Sequence, residues 1–225
     1  MVTILIPAFN EEDTIACTIR SLFKIPEINK VLVIDDGSTD RTAELAQETG
    51  ASVIRLEKNL GKGEALTAAG PFVTSEVVGL IDADLGNSAE LLRPLILPVL
   101  NGEADLVIAR FPSAKPKAGF GIVKKVASLG LKLLAGIDSS APLSGQRIMK
   151  HQVWRDSLPL NKGFGVEVGQ TLKAARKGYR IMEVELPLSH RFTSNDISGF
   201  LHRGKQLWHV LRAFFCFCFL REGHN

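Results

Sequence analysis

Two carboxylates one residue apart, Asp82 and Asp84, stand directly after the apolar run Val77 to Ile81. Oxygen ligands of this kind suit Mg2+ or Mn2+, which take one or two carboxylates together with water and substrate phosphates. A cation held there would neutralise a departing diphosphate and stabilise the charge that develops on it. Asp-x-Asp by itself is also ordinary turn chemistry, so its meaning depends on what else reaches the same place. Three further segments send polar groups out of apolar runs in the same way. Asn10, Glu11 and Glu12 follow "VTILIP"; Asp35 and Asp36 close "KVLVIDD"; Asn59 and Lys62, with Gly61 and Gly63, follow "ASVIRLE". Any one of these could be helix capping or a turn, but four together argue for a site.

The elements between them would bring the four segments to one edge. Continuous aliphatic runs at 2–7, 30–36, 51–57, 76–82 and 104–110 read as buried strands. Between them lie stretches with helical spacing of apolar residues: 11–23 with Asn10 as cap, 38–50 with Ser38 as N-cap and Gly50 as stop, 62–70, and 88–102 bent by Pro94 and Pro98. This alternation predicts an α/β fold with a mostly parallel sheet flanked by helices. Right-handed crossovers place the carboxyl ends of parallel strands on one edge, where open α/β sheets bind ligands.

The second half is less regular. Residues 119–136 read as a basic amphipathic helix weakened by Gly130, 143–150 as a strand or turn and strand, 163–178 as a helix stopped by Gly178, and 179–191 as a strand. Residues 196–225 form a helical tail mixing His202, Arg203, Lys205, His209 and Arg212 with many aromatic residues, which suits packing on the body, on a second copy in a homodimer, or on a membrane interface. The organisation expected is one domain over 1–195 with this tail.

Bulk properties exclude several classes. With 225 residues, 45% apolar and 23% charged, the chain has an ordinary globular balance. A formal charge of +3 without a basic aromatic stripe argues against nucleic acid. Three cysteines make neither a disulfide framework nor a zinc spacing, and "MVTILIPAFNEE" lacks a signal-peptide n-region, so a cytoplasmic home is expected, with the tail allowing a place on the inner face of the plasma membrane. The longest apolar run, 213–220, is too short to span a bilayer. There is no P-loop, no G-x-G-x-x-G after the first strand, no G-x-S-x-G and no H-E-x-x-H. "PAFNEE" is not the glycine-rich, Arg-containing loop of a nucleotidyltransferase.

"IPAFNEEDTI", "VIDDGSTDRT", "NLGKGEAL" and "LIDADL" resemble, in order and spacing, the N-terminal half of family-2-type glycosyltransferases of the GT-A fold. The resemblance implies a nucleotide-sugar donor, UDP- or GDP-linked, a divalent cation and a hexose transferred at the sheet edge. By position, Pro7, Ala8 and Glu11 would line the nucleoside pocket, Asp36 would contact base or ribose with Asp35 supporting the loop, and Lys62 would approach the donor phosphates. Asp82 would lie near ribose or sugar and Asp84 would hold the metal.

"GFGVEVG" and "SHR" are similar to glucosyl-3-phosphoglycerate synthases, which implies His190 as a second metal ligand, Arg191 at the donor pyrophosphate and Glu167 beside the acceptor. Glu167 would deprotonate or orient a hydroxyl acceptor and only position an ionised phosphate. Arg147 would bind an acceptor phosphate or bridge to the Asp82–Asp84 loop. Polyprenyl-phosphate sugar transferases share the first-half motifs and a basic tail. "SGQR" (144–147) and "GFGIVKKVAS" depart from the phosphoglycerate group, so the anionic acceptor stays open between a polyprenyl phosphate and a small phosphorylated metabolite, and inversion versus retention stays open with it. The alternative to an enzyme is a non-catalytic nucleotide-sugar-binding subunit.

Overall fold

The structure is a computed structural model that describes residues 1–111, 120–161, 165–186 and 197–219. His190 and Arg191 lie outside the described residues.

Among the described residues seven strands form one sheet: β1 (Val2–Ala8), β2 (Ile28–Asp35), β3 (Ser52–Arg55), β4 (Val77–Leu80), β5 (Leu106–Arg110), β6 (Arg147–Lys150) and β7 (Ile181–Glu185). Their spatial order is β3-β2-β1-β4-β6-β5-β7. β1 pairs in parallel with β2 and β4, β2 with β3, and β5 with β7. β6 runs antiparallel to both β4 and β5. That reversal has a consequence for the site. With Leu80 opposite Arg147, the residues just before β6 arrive at the same edge as the residues just after β4.

The period-2 alternation of strand side chains divides the core between the two faces. Ile4, Ile6, Val31 and Val33 pack on one face with helix α1 (Ile15–Leu22) and helix α4 (Arg93–Leu100). Leu5, Leu32, Ile34 and Leu80 pack on the other with α3 (Lys62–Ala68), α6 (His151–Ser157) and the wholly buried Trp154. Helix α2 (Thr42–Glu48) covers β2 and β3. A third cluster joins α5 (Phe120–Ala135), α7 (Gly165–Arg176) and α8 (Ile197–Phe219) through Val123, Ala127, Leu131, Val168, Leu172 and Val210. The tail helix α8 thus packs on the body. No helix among the described residues is long and apolar enough to cross a membrane.

Several local expectations change. Asn10 does not cap a helix beginning at 11: α1 starts at Ile15, and Asn10, with φ of 55°, accepts a hydrogen bond from Thr39 N–H at 2.9 Å. Ser38 does not cap α2, whose N-cap position is Arg41; Asp40, one residue before it, accepts from Thr42 N–H at 3.0 Å. The helix expected over 88–102 is divided into a 3-10 segment, Gly86–Leu92, and α4, with Pro94 in the first turn of α4 where a missing N–H costs nothing. Gly130 does not weaken α5 without purpose. A Cβ there would lie 2.1 Å from the Phe214 ring, so the glycine is what lets α8 come close.

Candidate functional site

The loops following β1 to β4 converge as expected, and hydrogen bonds to the backbone explain why they hold their shapes. Asp35 is wholly buried; its Oδ1 accepts Ser38 N–H at 2.9 Å and Arg55 lies 3.3 Å from its Oδ2. Asp36 accepts from Leu60 N–H and Gly61 N–H, both at 2.8 Å, one on each oxygen. Gly37 allows the loops to meet: its φ is +76°, and a Cβ there would sit 2.7 Å from the carbonyl carbon of Lys58. Asp36 was expected at the base or ribose. At 4% exposure it sits beneath the rim, shaping the loop that leads to Lys62.

Pro7 and Ala8 end β1, with Ala8 O accepting from Asp36 N–H at 2.8 Å. Glu11 follows, half-buried, its Oε2 accepting from the Thr14 hydroxyl at 3.1 Å. Burial pushes the Glu11 carboxyl above the usual range. The Thr14 bond opposes this, and the fields of Asp84, Asp82 and Asp40 add to it. Glu11, Asp82 and Asp84 therefore feel one another across the edge, an arrangement that a cation relieves.

Lys62 opens α3 and lies between two carboxylates, 2.8 Å from Asp82 Oδ1 and 2.9 Å from Glu167 Oε1. Burial alone would depress its pKa, and the two carboxylates more than reverse that, holding the ammonium charged well above the ordinary lysine range. Glu167 comes from the first turn of α7 and is 5% exposed. Its second oxygen, Oε2, is buried with no hydrogen-bond partner among the described residues. Asp84 is exposed at the rim, two residues beyond Asp82.

Arg147 corrects an expectation. It is 0% exposed and donates to Ser144 O at 2.8 Å and to the Thr171 hydroxyl at 2.9 Å, so it braces β6 against α7 and does not face an acceptor. Burial pushes its pKa down to about 10, against the upward pull of Glu167, Glu183 and Asp82, and it stays charged at neutral pH. His190 and Arg191 fall outside the described residues. Among the described residues no three His, Cys, Asp or Glu side chains form a metal-binding group.

Three supporting residues escaped the sequence reading. Thr18, on α1, donates to Ala83 O at 2.8 Å and accepts from Gly86 N–H at 2.8 Å, pinning the loop on both sides of Asp84. Asn161 wedges between α3 and α7: a Cβ at Gly63 would lie 2.0 Å from its carbonyl oxygen, and one at Gly169 would lie 2.0 Å from its Oδ1. Those two glycines were the available signal. Gln146 engages Asp82 from just ahead of β6; only the tetrapeptide "SGQR" marked it in the sequence.

The family model described as Glycosyl transferase family 2 matches residues 3–138. A glycosyltransferase, AglJ, of Haloferax volcanii is 30% identical over 183 residues, covering 80% of this chain and 60% of that protein. A glucosyl-3-phosphoglycerate synthase of Mycobacterium tuberculosis is 31% identical over 192 residues, covering 75% of this chain and 59% of that protein. The chain thus spans about three fifths of the length of these curated relatives. The structure of the Mycobacterium tuberculosis synthase in complex with phosphoglyceric acid superposes with a TM-score of 0.81 at 27% identity, covering 100% of this chain and 86% of that one. Its complex with Mn2+, UDP and glucosyl-3-phosphoglycerate superposes with a TM-score of 0.79 at 28% identity, covering 97% and 80%. A family match across more than half the chain, a GT-A architecture and an acidic carboxyl edge agree: this chain belongs to glycosyl transferase family 2.

Proposed function

We propose that the protein transfers a hexose from a UDP- or GDP-sugar to an anionic acceptor in a metal-dependent reaction. The observation that carries this reading is the meeting of Lys62, Asp82 and Glu167 from three separate elements, with Asp84 exposed beside them. The oxygen-rich edge fits a hard cation. Asp84, and His190 from beyond the described residues, would hold Mg2+ or Mn2+, which when bound supplies charge neutralisation for the leaving nucleoside diphosphate.

The chain's own groups do the rest. Pro7, Ala8 and Glu11 border the nucleoside end, with Asp36 holding the adjoining loop. Lys62 presents a fixed positive charge to the donor phosphates, and Arg191 would add a second. Asp82, held by Lys62, faces the sugar or ribose. Glu167 shares its Oε1 with Lys62 and keeps Oε2 for a donor that the described residues do not supply; the hydroxyl of an acceptor would provide one. With Oε1 held by Lys62 at 2.9 Å and Oε2 open to a donor, Glu167 is placed to orient an acceptor hydroxyl. The synthase bound to phosphoglyceric acid makes a phosphorylated metabolite one supported acceptor class, and the basic helices described next keep a polyprenyl phosphate as the other.

The test is Asp84→Ala. Nucleotide release from UDP-glucose or a GDP-sugar in the presence of Mn2+ is expected to fall by about a hundredfold or more. Undiminished turnover in that variant overturns the metal assignment, and nucleotide binding without any turnover in the parent chain favours a non-catalytic binding subunit.

A second reading concerns placement. α5 and α8 hold six Lys and Arg and none of the chain's 24 Asp and Glu. Ile122, Leu129 and Leu133 on α5 and Trp208, Leu211 and Phe215 on α8 are exposed. Basic and apolar groups without acids suit the surface of an anionic leaflet, on the cytoplasmic side. Co-sedimentation with phosphatidylglycerol vesicles but not with phosphatidylcholine vesicles is the expected result; equal partition into both overturns it.

A further inference from the structure

We infer that Gln146 is a positioning residue for the donor site, holding Asp82, and through Asp82 the Lys62 ammonium, in the arrangement that meets the donor's diphosphate. The inference rests on the donor reading above and adds a residue that reading does not use.

Gln146 is 0% exposed, just ahead of β6. Its backbone is fixed by Ala109 N–H, which donates to Gln146 O at 2.9 Å. Both ends of its side-chain amide go to one residue. Nε2 donates to Asp82 Oδ2 at 2.6 Å, and Oε1 accepts from Asp82 N–H at 2.9 Å. The partners fix which way the amide points, because a backbone N–H can only donate and an ionised carboxylate can only accept. Asp82 is thereby gripped at main chain and carboxylate together by the residue just ahead of β6. With Oδ2 taken by the amide, Oδ1 is left facing Lys62 at 2.8 Å.

The residue before it is matched to this task. A Cβ at Gly145 would lie 2.5 Å from Asp82 Oδ2 and 2.9 Å from Lys62 Nζ, so only glycine lets β6 approach the pair this closely. The topology supplies the reason the two can meet: β6 is antiparallel to β4, with Leu80 opposite Arg147.

Chemistry explains the choice of side chain. A Lys or Arg at 146 would compete with Lys62 for Asp82 and draw the carboxylate away. A Glu would fill the same volume and still accept the Asp82 N–H, but it would set a second negative charge against Oδ2. A Met would fill the volume with no bond at all. Glutamine is the neutral residue of this length that both donates and accepts. Because the bond to the carboxylate is charge-assisted, it outweighs an ordinary side-chain contact.

The experiment compares the full chain with Gln146→Met and Gln146→Glu, each first checked for a cooperative thermal transition. UDP and GDP are titrated calorimetrically into each in the presence of Mn2+. We expect Gln146→Met to weaken the nucleotide that the parent binds by about tenfold, a loss typical of removing a supporting hydrogen bond behind a ligand-binding group. Gln146→Glu should be weaker still, by about a hundredfold, because repulsion is added to the lost bond.

A residue that merely fills space gives binding near the parent's in both variants, since Met and Glu both keep its volume. Binding within about twofold of the parent in both variants, or Gln146→Glu binding better than Gln146→Met, overturns the inference. A crystal structure of ligand-free Gln146→Met provides an arm that needs no donor. The Asp82 carboxylate should turn away from Lys62, and retention of the 2.8 Å contact overturns the inference. If the parent binds neither nucleotide, the donor reading fails, while this structural arm still decides the role of Gln146.

Discussion

The carboxyl edge of the sheet and the pair of helices α5 and α8 hold their shapes by opposite means. At the edge, carboxylates and amides are pinned by directed bonds: Asp36 to Leu60 and Gly61, Thr18 to Ala83 and Gly86, Gln146 to Asp82. At the helix pair, shape comes from close approach of apolar surface: Gly130 beneath Phe214, and Val123, Leu131 and Val210 with α7. One region concentrates acids around a single lysine. The other has bases and no acids at all. The two regions thus keep their charges apart, acids at the carboxyl edge and bases on the helix pair.

The comparison breaks most sharply at Lys62. Lys62→Met leaves Asp82 and Glu167 facing each other without a cation, and donor turnover is expected to fall by about a hundredfold, or about 2.7 kcal/mol of barrier. Steady-state nucleotide release measures it, and a loss under about tenfold would mean that the edge does not depend on its central charge. The stability effect has a definite sign. A lysine whose pKa is raised in the folded state contributes in full below its unfolded value of about 10.4, and loses that contribution only at higher pH. The stability gap between parent and variant should therefore be flat from about pH 6 to about pH 9.

Gly130→Ala tests the other region. A methyl group 2.1 Å from the Phe214 ring must displace that ring or the helix carrying it, with an expected cost of about 1–3 kcal/mol in a urea melt. The donor KM should not move, because Phe214 packs in the apolar cluster of α5, α7 and α8. A change in donor KM equal to that of Lys62→Met would show that the two regions act as one.

These two positions also show what could be read from the residues alone. The four loop segments, the helix carrying Glu167 and the mostly parallel sheet were legible, because continuous apolar runs and polar exits repeat at regular spacing through residues 1–110. Gly130 was read as a weak point of a helix when it is a contact, since single-helix propensity says nothing of a partner some 80 residues away. Gln146 and Thr18 were passed over because their partners are a carboxylate, a carbonyl and amides on other elements, and the antiparallel turn of β6 that brings Gln146 to the edge leaves no periodic mark. Arg147 was read as binding an acceptor phosphate or bridging to the Asp82–Asp84 loop; a guanidinium satisfied by a carbonyl and a hydroxyl, as it is here, looks the same in sequence as one that waits for a phosphate.

Thr18→Val sharpens the account of the edge. The side chain keeps its volume and loses both bonds to the loop that carries Asp84. Mn2+ affinity in the presence of the bound nucleoside diphosphate is expected to drop by about tenfold, or about 1.4 kcal/mol, as for other residues that orient a ligand from behind. Calorimetric titration checks it, and an unchanged affinity would mean that the loop needs no support from α1.

The smallest effect expected is at the outer surface of the helix pair, where Trp208 is 65% exposed and Phe215 61% exposed. Trp208→Ser and Phe215→Ser remove mostly exposed apolar area, so folding stability should change by less than about 0.5 kcal/mol. Partition into phosphatidylglycerol vesicles should fall by about fivefold for either, since interfacial binding scales with apolar area. Raising the ionic strength should weaken parent and variants alike, because the bases of α5 and α8 supply an electrostatic part that salt screens. If the variants instead lower a concentration-dependent sedimentation coefficient and leave vesicle binding unchanged, this surface meets a second copy of the chain. Six bases without an acid count against that outcome: two like-charged faces repel, and the acid-rich carboxyl edge cannot cover them without blocking the site.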